Sequence, residues 1–283
     1  MIGVGLIGLG LLGSALSERL ISAGYQIQGF DVNEDRRATL HSIGGSPLDS
    51  AVAVIQSCQT ILLSLPDSKS VSDVMESVHS SLDRHLIIDT TTGAPDDSAR
   101  LGEFLSRSHV EYLDATVVGS SEQARRCETM VLSGGTLAGF EAALPVLRCF
   151  SSQQFHTGSW GTGATAKLIV NLVLGLNRAV LAEALNLARR TGMDQRSMLE
   201  ILRSGAAYSR VMDLKGEKML SGDFAPQARL DQHAKDVRLI LDVGKSSGSQ
   251  LPLSELHSVL LERASMLGFG QQDNSAIIKA FES

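Results

Sequence analysis

Residues 161–191 read GTGATAKLIVNLVLGLNRAVLAEALNLARRT, and the rest of the chain is organised around this stretch. It contains no proline and is rich in Leu, Ala, Val and Ile, which predicts one long helix. Its apolar residues fall on nearly every side, so most of the helix should be buried. Gly161 and Gly163 give the helix a flexible entry, and Gly192 stands where a helix stop belongs.

One line of this predicted helix is polar. Lys167, Asn171 and Gly175 are spaced at i, i+4 and i+8 and therefore share a face. Burying an isolated ammonium group is costly. Either Lys167 reaches solvent while Asn171 bonds a nearby loop, or the two line a functional slot. A nucleotide-binding pattern in the first half of the chain favours the second interpretation.

Composition excludes several classes of protein. The chain has 283 residues, of which 43% are hydrophobic, enough for a substantial core and two domains. The net charge is -6 and no basic run is long enough to indicate a nucleic-acid partner. Cys58, Cys127 and Cys149 show no metal-ligand spacing and fit a reducing compartment. We therefore predict a cytoplasmic protein without a metal site.

Two apolar segments were considered as a signal peptide or a membrane span, and neither is predicted to be one. The start, MIGVGLIGLG, lacks a positively charged segment and runs into a glycine pattern, so it predicts a strand and not a signal peptide. The apolar run 168–188 resembles a membrane span, but Asn171, Arg178 and Glu183 interrupt it, and charges there would be expensive in lipid. We expect a soluble protein with no membrane partner.

A dinucleotide-binding pattern opens the chain. Residues 2–7 predict a strand, the sequence GLGLLG follows at 8–13, and residues 14–23 predict a helix. In a strand–GxGxxG–helix unit, Gly8 permits the tight turn, Gly10 lets a pyrophosphate approach the backbone, and Gly13 allows close helix packing. The motif alone is weak evidence, but here it has the strand and helix that it requires.

The second predicted strand, 25–30, ends at Asp31, where such domains hold the ribose hydroxyls. A carboxylate there repels a 2′-phosphate and favours NAD over NADP. Asp31 could instead cap the helix that begins near 33–35. NADP remains an alternative cofactor, because Arg36 or Arg37 lies near this point and an arginine there can bind the 2′-phosphate.

Strands and helices continue to alternate, which predicts an α/β fold with a parallel, doubly wound sheet. Further strands are predicted at 60–65, 86–89, 111–114 and 130–133, with helices at about 68–81, 95–108 and up to 147. Ligands bind beyond the carboxyl ends of the strands in such sheets. The loops at Pro66, Thr91-Thr92 and Gly119-Ser120 all lie at such ends.

The remainder of the chain predicts an all-α region. Helices are expected at 194–205, 230–246, 253–267 and 274–282. The predicted domains are therefore a Rossmann-type domain, 1–160, and an all-α domain, 161–283, that begins with the long helix. A cleft between them would be faced by Lys167. Lys235 and Asp236 lie on an otherwise apolar helix and, on sequence pattern alone, resemble a surface ion pair.

Four separated motifs, in order, resemble those of the β-hydroxyacid dehydrogenase family, and the resemblance spans essentially the whole chain. The dinucleotide motif matches residues 8–13, and the substrate loop Asp-Ala-Pro-Val-Ser-Gly-Gly resembles residues 114–120. The catalytic motif Gly-x-Gly-x-x-x-Lys-x-x-x-Asn is intact at 161–171, and the cofactor-binding Lys-Asp pair matches Lys235-Asp236. In the substrate loop, Thr116 replaces the proline, Val118 the serine and Ser120 the second glycine, which leaves substrate identity open.

The resemblance implies hydride transfer between a nicotinamide and a small β-hydroxy acid or its semialdehyde. Lys167 would be the general acid–base, with a pKa lowered by burial and nearby positive charge, and Asn171 would orient it or hold the substrate oxygen. Backbone N–H groups at 119–120 and the Thr92 hydroxyl would hold a carboxylate. The predicted cofactor contacts are Gly8, Gly10, Leu11, Leu12, Gly13, Asp31, Leu65, Pro66, Thr92 and Lys235, and the predicted substrate contacts are Thr92, Val118, Gly119, Ser120, Lys167 and Asn171.

Two alternatives remain open from the sequence. Imine reductases share the architecture but typically lack the lysine, and a catalytically inactive NAD(P)-binding interaction protein would be expected to lose it. The long helix is apolar on more sides than one small helical domain can cover. A homodimer or homotetramer is therefore expected, as the family resemblance also implies.

Overall fold

The computed structural model describes residues 3–282; Met1, Ile2 and Ser283 lie outside the described residues. The first predicted strand therefore has its initial residue, Ile2, outside this range. The chain divides into two compact units, with the division between Lys167 and Leu168.

The first unit is built on an eight-stranded sheet with the order β3-β2-β1-β4-β5-β6-β7-β8. All neighbouring strands are parallel except β6 and β7, which are antiparallel. The strands are β1 Gly3–Ile7, β2 Gln26–Phe30, β3 Ser46–Pro47, β4 Thr60–Leu63, β5 Leu86–Asp89, β6 Glu111–Val118, β7 Thr129–Gly135 and β8 Ser151–Gly158.

Helices cover both faces of this sheet. They are α1 Leu11–Ser22, α2 Glu34–Ser42, α3 Ala51–Ser57, α4 Ser68–Val78, α5 Pro95–Ser106, α6 Ser121–Arg125 and α7 Leu137–Leu147, with a short 3-10 turn at His79–Ser81. Successive strand residues enter opposite cores: Leu62 packs into one, and Ile61 and Leu63 pack into the other. Strands buried on both faces are apolar throughout, which is why the sequence marked β4 and β5 so clearly. The doubly wound α/β prediction is confirmed.

Three parts of the sheet differ from the prediction, and one of them is the two-residue strand β3, which was not predicted. Residues 115–118, which were expected to form a loop, continue β6 and pair antiparallel with β7. Strand β8 was not predicted, because as an edge strand it exposes Ser152 and Gln153 and lacks an apolar run. The sheet is thus not wholly parallel.

The second unit is all-α, as predicted. It contains most of α8 Thr162–Arg190, followed by α9 Gln195–Ser204, α10 Arg210–Ser221, α11 Leu230–Ser247, α12 Pro252–Ala264, a π-helical turn Ser265–Phe269 and a 3-10 helix Asn274–Phe281. Its core joins α8 residues such as Leu181 and Leu185 to Leu199, Val237 and Ile277. Helix α10 was not predicted, and the terminal helix is 3-10 rather than α.

Helix α8 runs for 29 residues, close to the predicted span. By length and hydropathy alone it could cross a membrane, with a mean hydropathy of 1.7 in its most apolar window. Since 44% of that window is buried inside the structure, it also fits the core helix of a folded domain.

Candidate functional site

The turn between β1 and α1 is shaped by glycines. Gly8 has φ +95°, and a Cβ there would lie 2.3 Å from the carbonyl oxygen of Ser64. A Cβ on Gly13 would lie 2.0 Å from the carbonyl oxygen of Gly8. Any side chain at either position would collide with backbone, so this turn requires glycine at both.

Gly10 differs because open space lies above it. A Cβ at Gly10 would meet only Nη1 of Arg36 within 4 Å, at 3.9 Å. Gly10 is the N-cap of α1 and no side chain caps the helix, so the first N–H groups of α1 face an accessible cradle. Leu11 is 50% exposed and Leu12 is half-buried at the same helix start. A bare helix N-terminus with room above it fits a pyrophosphate.

Asp31 lies directly after β2 and is buried. Its Oδ2 accepts from the backbone N–H of Leu9 at 2.7 Å and from Nη1 of Arg36 at 3.2 Å, while Oδ1 accepts from the backbone N–H of Asn33 at 2.9 Å. Arg37 donates to the Asp31 carbonyl oxygen at 2.6 Å. Asp31 thus ties β2 to the glycine turn. The helix cap at this point is Asn33, whose Oδ1 accepts from the N–H groups of Asp35 and Arg36.

The loops after β4 and β5 are joined to each other. The backbone N–H of Leu65 donates to Oγ1 of Thr91 at 3.1 Å. Thr90 Oγ1 donates to the carbonyl oxygen of Leu63 at 2.7 Å. Pro66 is exposed and Thr92 half-buried on these loops. These predicted contacts thus lie at the carboxyl ends of two adjacent parallel strands, as the sequence indicated.

The predicted substrate loop, 114–120, overlaps the end of β6, and only Gly119 and Ser120 follow the strand. Gly119 has φ +139° and a Cβ there would lie 2.7 Å from Cγ2 of Thr129. Ser120 begins α6 with a capping box: its Oγ accepts from the N–H of Gln123, and its own N–H donates to Oε1 of Gln123 at 2.9 Å. The backbone N–H of Ser120 is therefore engaged, and Ser120 offers a ligand its hydroxyl hydrogen instead. Val118 is half-buried.

Asp114 fixes the start of α8, a role that sequence reasoning missed. Its Oδ1 accepts from the N–H of Gly161 at 3.0 Å and its Oδ2 from the N–H of Ala164 at 2.7 Å. Burial raises the pKa of Asp114 to about 6, while these two N–H groups act in the opposite direction. A Cβ on Gly163 would lie 2.2 Å from the Asp114 carbonyl oxygen. The glycines of the Gly-x-Gly motif thus let the helix approach β6 closely.

Lys167 lies in the second turn of α8 and is 7% exposed. Its Nζ donates to the carbonyl oxygen of Val117 at 2.7 Å. The amine is therefore held beside the end of β6, at a residue of the predicted substrate loop.

Asn171, one turn later on α8, belongs to the second unit. Its Nδ2 donates to Oδ2 of Asp236 at 2.8 Å, and both side chains are buried. Nζ of Lys235 lies 3.3 Å from Oδ1 of the same carboxylate. The predicted Lys-Asp pair is thus bonded to the predicted catalytic asparagine. The sequence singled out Lys235, whereas the structure shows that Asp236 makes the contact to Asn171.

Among residues 3–282, no group of three or more His, Cys, Asp or Glu side chains is arranged to hold a metal ion.

A strand–glycine turn–helix unit in a doubly wound sheet, with an acidic residue ending β2, defines a Rossmann-type dinucleotide-binding domain. Comparison with known proteins agrees. Residues 3–158 match the NAD binding domain of 6-phosphogluconate dehydrogenase, and residues 161–281 match the NAD-binding domain of NADP-dependent 3-hydroxyisobutyrate dehydrogenase.

The chain is 31% identical to 2-(hydroxymethyl)glutarate dehydrogenase of Eubacterium barkeri, over 99% of this chain and 94% of that protein. The crystal structure of 3-hydroxyisobutyrate dehydrogenase from Salmonella typhimurium superimposes with a TM-score of 0.90 at 27% identity, covering 99% of both chains. An imine reductase from Pseudomonas sp. is more distant, with a TM-score of 0.64 at 21% identity, and shares the fold alone.

The chain belongs to the β-hydroxyacid dehydrogenase family. It is an NAD(P)-dependent oxidoreductase, as its four motifs predicted.

Proposed function

We propose that this chain transfers a hydride between a nicotinamide cofactor and the carbinol carbon of a small β-hydroxy acid, or the corresponding semialdehyde, with Lys167 as general acid–base. The observation that carries the proposal is the buried Lys167 amine, held by the Val117 carbonyl oxygen beside the loop at the end of β6. The nicotinamide, when bound, supplies or accepts the hydride.

Lys167 would accept or donate the proton of the substrate oxygen. Oxidation of a carbinol requires removal of its hydroxyl proton, and reduction of a carbonyl requires a proton for its oxygen. The Val117 carbonyl accepts one N–H of Lys167 whether the amine is charged or neutral, so it fixes Nζ while a proton is exchanged with the substrate oxygen.

Asn171 would orient the substrate. The Asp236 carboxylate can only accept, so it fixes which end of the Asn171 amide is Nδ2. The Asn171 Oδ1 and second N–H are then set for a substrate oxygen. The Thr92 hydroxyl, the Ser120 hydroxyl and the loop at Val118-Gly119 are the proposed carboxylate contacts.

The proposed cofactor contacts in the first unit are Gly8, Gly10, Leu11, Leu12, Gly13, Asp31, Leu65, Pro66 and Thr92. Lys235 of the second unit is proposed as a further cofactor contact. We propose NAD as the preferred cofactor, because the Asp31 carboxylate lies next to the glycine turn and repels a 2′-phosphate. Arg36, which bonds Asp31 and remains 45% exposed at its side chain, lets NADP compete.

The substrate class is supported by two relatives whose names specify 2-(hydroxymethyl)glutarate and 3-hydroxyisobutyrate, both β-hydroxy acids. Lys167 and Asn171 occur together here, which argues against both a non-catalytic binding protein and an imine reductase. We further propose a homodimer or homotetramer, because α8 exposes apolar residues that a second copy would cover: Ile169, Val173, Val180 and Leu187. We also propose that the protein is cytoplasmic.

The test is turnover. Purified protein is incubated with NAD or NADP and a panel of β-hydroxy acids, and the reduced-nicotinamide absorbance is followed. We expect turnover with at least one acid, and faster turnover with NAD than with NADP. A flat trace with both cofactors across the panel, in both reaction directions, would refute the proposed activity.

A further inference from the structure

A cavity of about 780 Å³ lies between α4 and α5 in the first unit. Helix α4 contributes Val71 and Met75 to its walls, and α5 contributes Leu101 and Phe104. Sites for small organic ligands have volumes of roughly 300–1,000 Å³ and mostly apolar walls. The space between the two helices therefore has the size and the walls of a small-molecule site.

This cavity is separate from the glycine turn between β1 and α1. Among residues 3–282, its lining includes none of the cofactor contacts proposed above. The lining runs instead from Ser68 and Gly93, where α4 begins and β5 has ended, to His79 and Phe104 near the other ends of the two helices. The His79 and Phe104 rings have centroids 5.0 Å apart. A ligand in this cavity would leave the glycine turn free.

Asp89, the last residue of β5, brings a carboxylate to the cavity. It lines the cavity and is 4% exposed. Its Oδ1 accepts from the N–H of Thr91 at 2.9 Å, and its Oδ2 accepts from the hydroxyl of Tyr112 at 2.9 Å. The Thr91 hydroxyl is a third donor. Since a carboxylate can accept about four hydrogen bonds, one acceptor position remains for a ligand.

The Asp89 carboxylate has no counter-ion within residues 3–282, because the groups that bond it are neutral N–H and hydroxyl groups. Burial raises the pKa of Asp89 to about 6, so the group is still largely ionised at neutral pH. The lysine and the arginine that line the cavity are already paired, Lys69 with Asp73 at 2.6 Å and Arg100 with Asp97. Burying a charge without a partner is unfavourable, and a cationic ligand would remove that penalty.

We propose that this cavity binds a small organic cation, with a primary ammonium group that donates to Asp89 and an apolar body that packs between α4 and α5. An ammonium group has three donors. The Ser98 hydroxyl, which bonds Tyr112 and also lines the cavity, can accept a second N–H of the ligand. Glu76 adds another negative charge to the lining, which disfavours anionic ligands such as the hydroxy acids proposed as substrates.

The proposal is tested by calorimetric titration of the full chain, at neutral pH, with 2-phenylethylamine and with 2-phenylethanol. The two probes share an apolar body and differ in the ammonium group. We expect the amine to bind wild type about tenfold or more tightly than the alcohol, the effect of a charged hydrogen bond. Pentylamine and pentanol repeat the comparison with a narrower, unbranched body.

Asp89→Asn should remove the preference for the amine, because the amide keeps the bonds to Thr91 and Tyr112 but carries no charge. Asp96→Asn is the matched control and should keep the preference, since Asp96 is an exposed residue of α5 outside the described lining of the cavity. Leu101→Trp should weaken binding of both probes, because the larger side chain occupies the cavity. A thermal scan of each variant separates loss of binding from unfolding, and the Asp89→Asn result decides alone if Leu101→Trp does not fold.

NAD distinguishes this cavity from the cofactor site. A saturating concentration of NAD should not displace the amine, and displacement would overturn the proposal. Equal binding of amine and alcohol by wild type in both pairs, or a preference for the amine that survives Asp89→Asn, would overturn it as well. Because no outcome depends on hydride transfer, the cavity and the proposed activity are tested separately.

Discussion

At the scale of single residues, the chemistry depends on where one amine is held. Lys167 could be selected from the sequence because an i, i+4 pair of polar residues interrupts an apolar helix, and family motifs surround it. The side chains that position the site could not be selected in this way. Asp114 and Asp236 stand in two of the family motifs, but their positioning roles could not be predicted, because their partners lie far away in sequence.

Replacing Lys167 with Met should lower kcat by at least about 10²–10⁴-fold, because a positioned acid–base typically contributes that factor. NAD binding, measured by fluorescence titration, should change less than about twofold, since the glycine turn is untouched. Lys245→Met, on the exposed end of α11, is the control and should retain full turnover. Substantial turnover by the Lys167 variant would remove this residue from the mechanism.

Asp89 should make stability depend on pH. Burial raises its pKa from 3.8 to about 6, although it accepts from the N–H of Thr91 and the hydroxyl of Tyr112. The folded chain thus holds this proton more tightly than the unfolded chain does. The free energy of unfolding should fall as pH rises from about 4 to about 6, by up to about 3 kcal/mol from this group.

Asp89→Asn tests that expectation. The amide can accept from Thr91 and donate to the Tyr112 oxygen, so both bonds survive without a titrating group. In urea unfolding at several pH values, the variant should show a flatter decline between pH 4 and 6 and greater stability at pH 7 than wild type. Identical pH profiles would show that Asp89 does not titrate in this range. Asp35→Asn, at an exposed position of α2, is the control.

At the scale of elements, the regular parts of the fold could be predicted and the irregular ones could not. Continuous apolar runs marked β4 and β5, and α8 was predicted to within a few residues of its ends. Strand β8 was not predicted, because an edge strand has polar residues on its open side. Helix α10 was not predicted, because its polar residues interrupt any apolar run. Residues 115–118 of β6 were assigned to the loop after the strand predicted at 111–114, although Thr116, Val117 and Val118 are residue types that favour strands.

The contact between the start of α8 and β6 leaves little room for a larger side chain. Gly163→Ala places a Cβ 2.2 Å from the Asp114 carbonyl oxygen, so either the helix or β6 must shift. We expect a loss of about 1–3 kcal/mol in the free energy of unfolding, as for overpacking, and a lower kcat because Lys167 moves with the helix. Gly205→Ala, where the nearest atom is 3.8 Å away, should change stability by less than about 0.5 kcal/mol. Equal stability of the two variants in urea would contradict this.

At the scale of the whole molecule, the sequence predicted an α/β domain followed by an all-α domain, and both are present. Their proposed boundary near residue 160 lies just before α8, whereas the two compact units divide between Lys167 and Leu168, inside that helix. A boundary that falls inside one continuous helix leaves no linker composition to detect.

The proposed assembly is tested on the exposed face of α8. Val180 is 63% exposed and Leu187 62% exposed, and introducing glutamate at both should oppose burial against a second copy. Light scattering should show a smaller assembly for the double variant than for wild type. Arg189→Glu, at a polar position of the same helix, should leave the mass unchanged. A wild-type chain that is monomeric throughout would refute the assembly.

Strand β6 connects three parts of the candidate site. Its Asp114 carboxylate bonds the first turn of α8, its Thr116 hydroxyl donates to the carbonyl oxygen of Gly163, and its Val117 carbonyl accepts from Lys167. Because side chains alternate along a strand, inserting or deleting a single residue before Val117 would turn Asp114 and Thr116 to the opposite face. Changes in loop length that alter specificity are therefore confined to positions after Val118, where the chain can diversify without disturbing the amine.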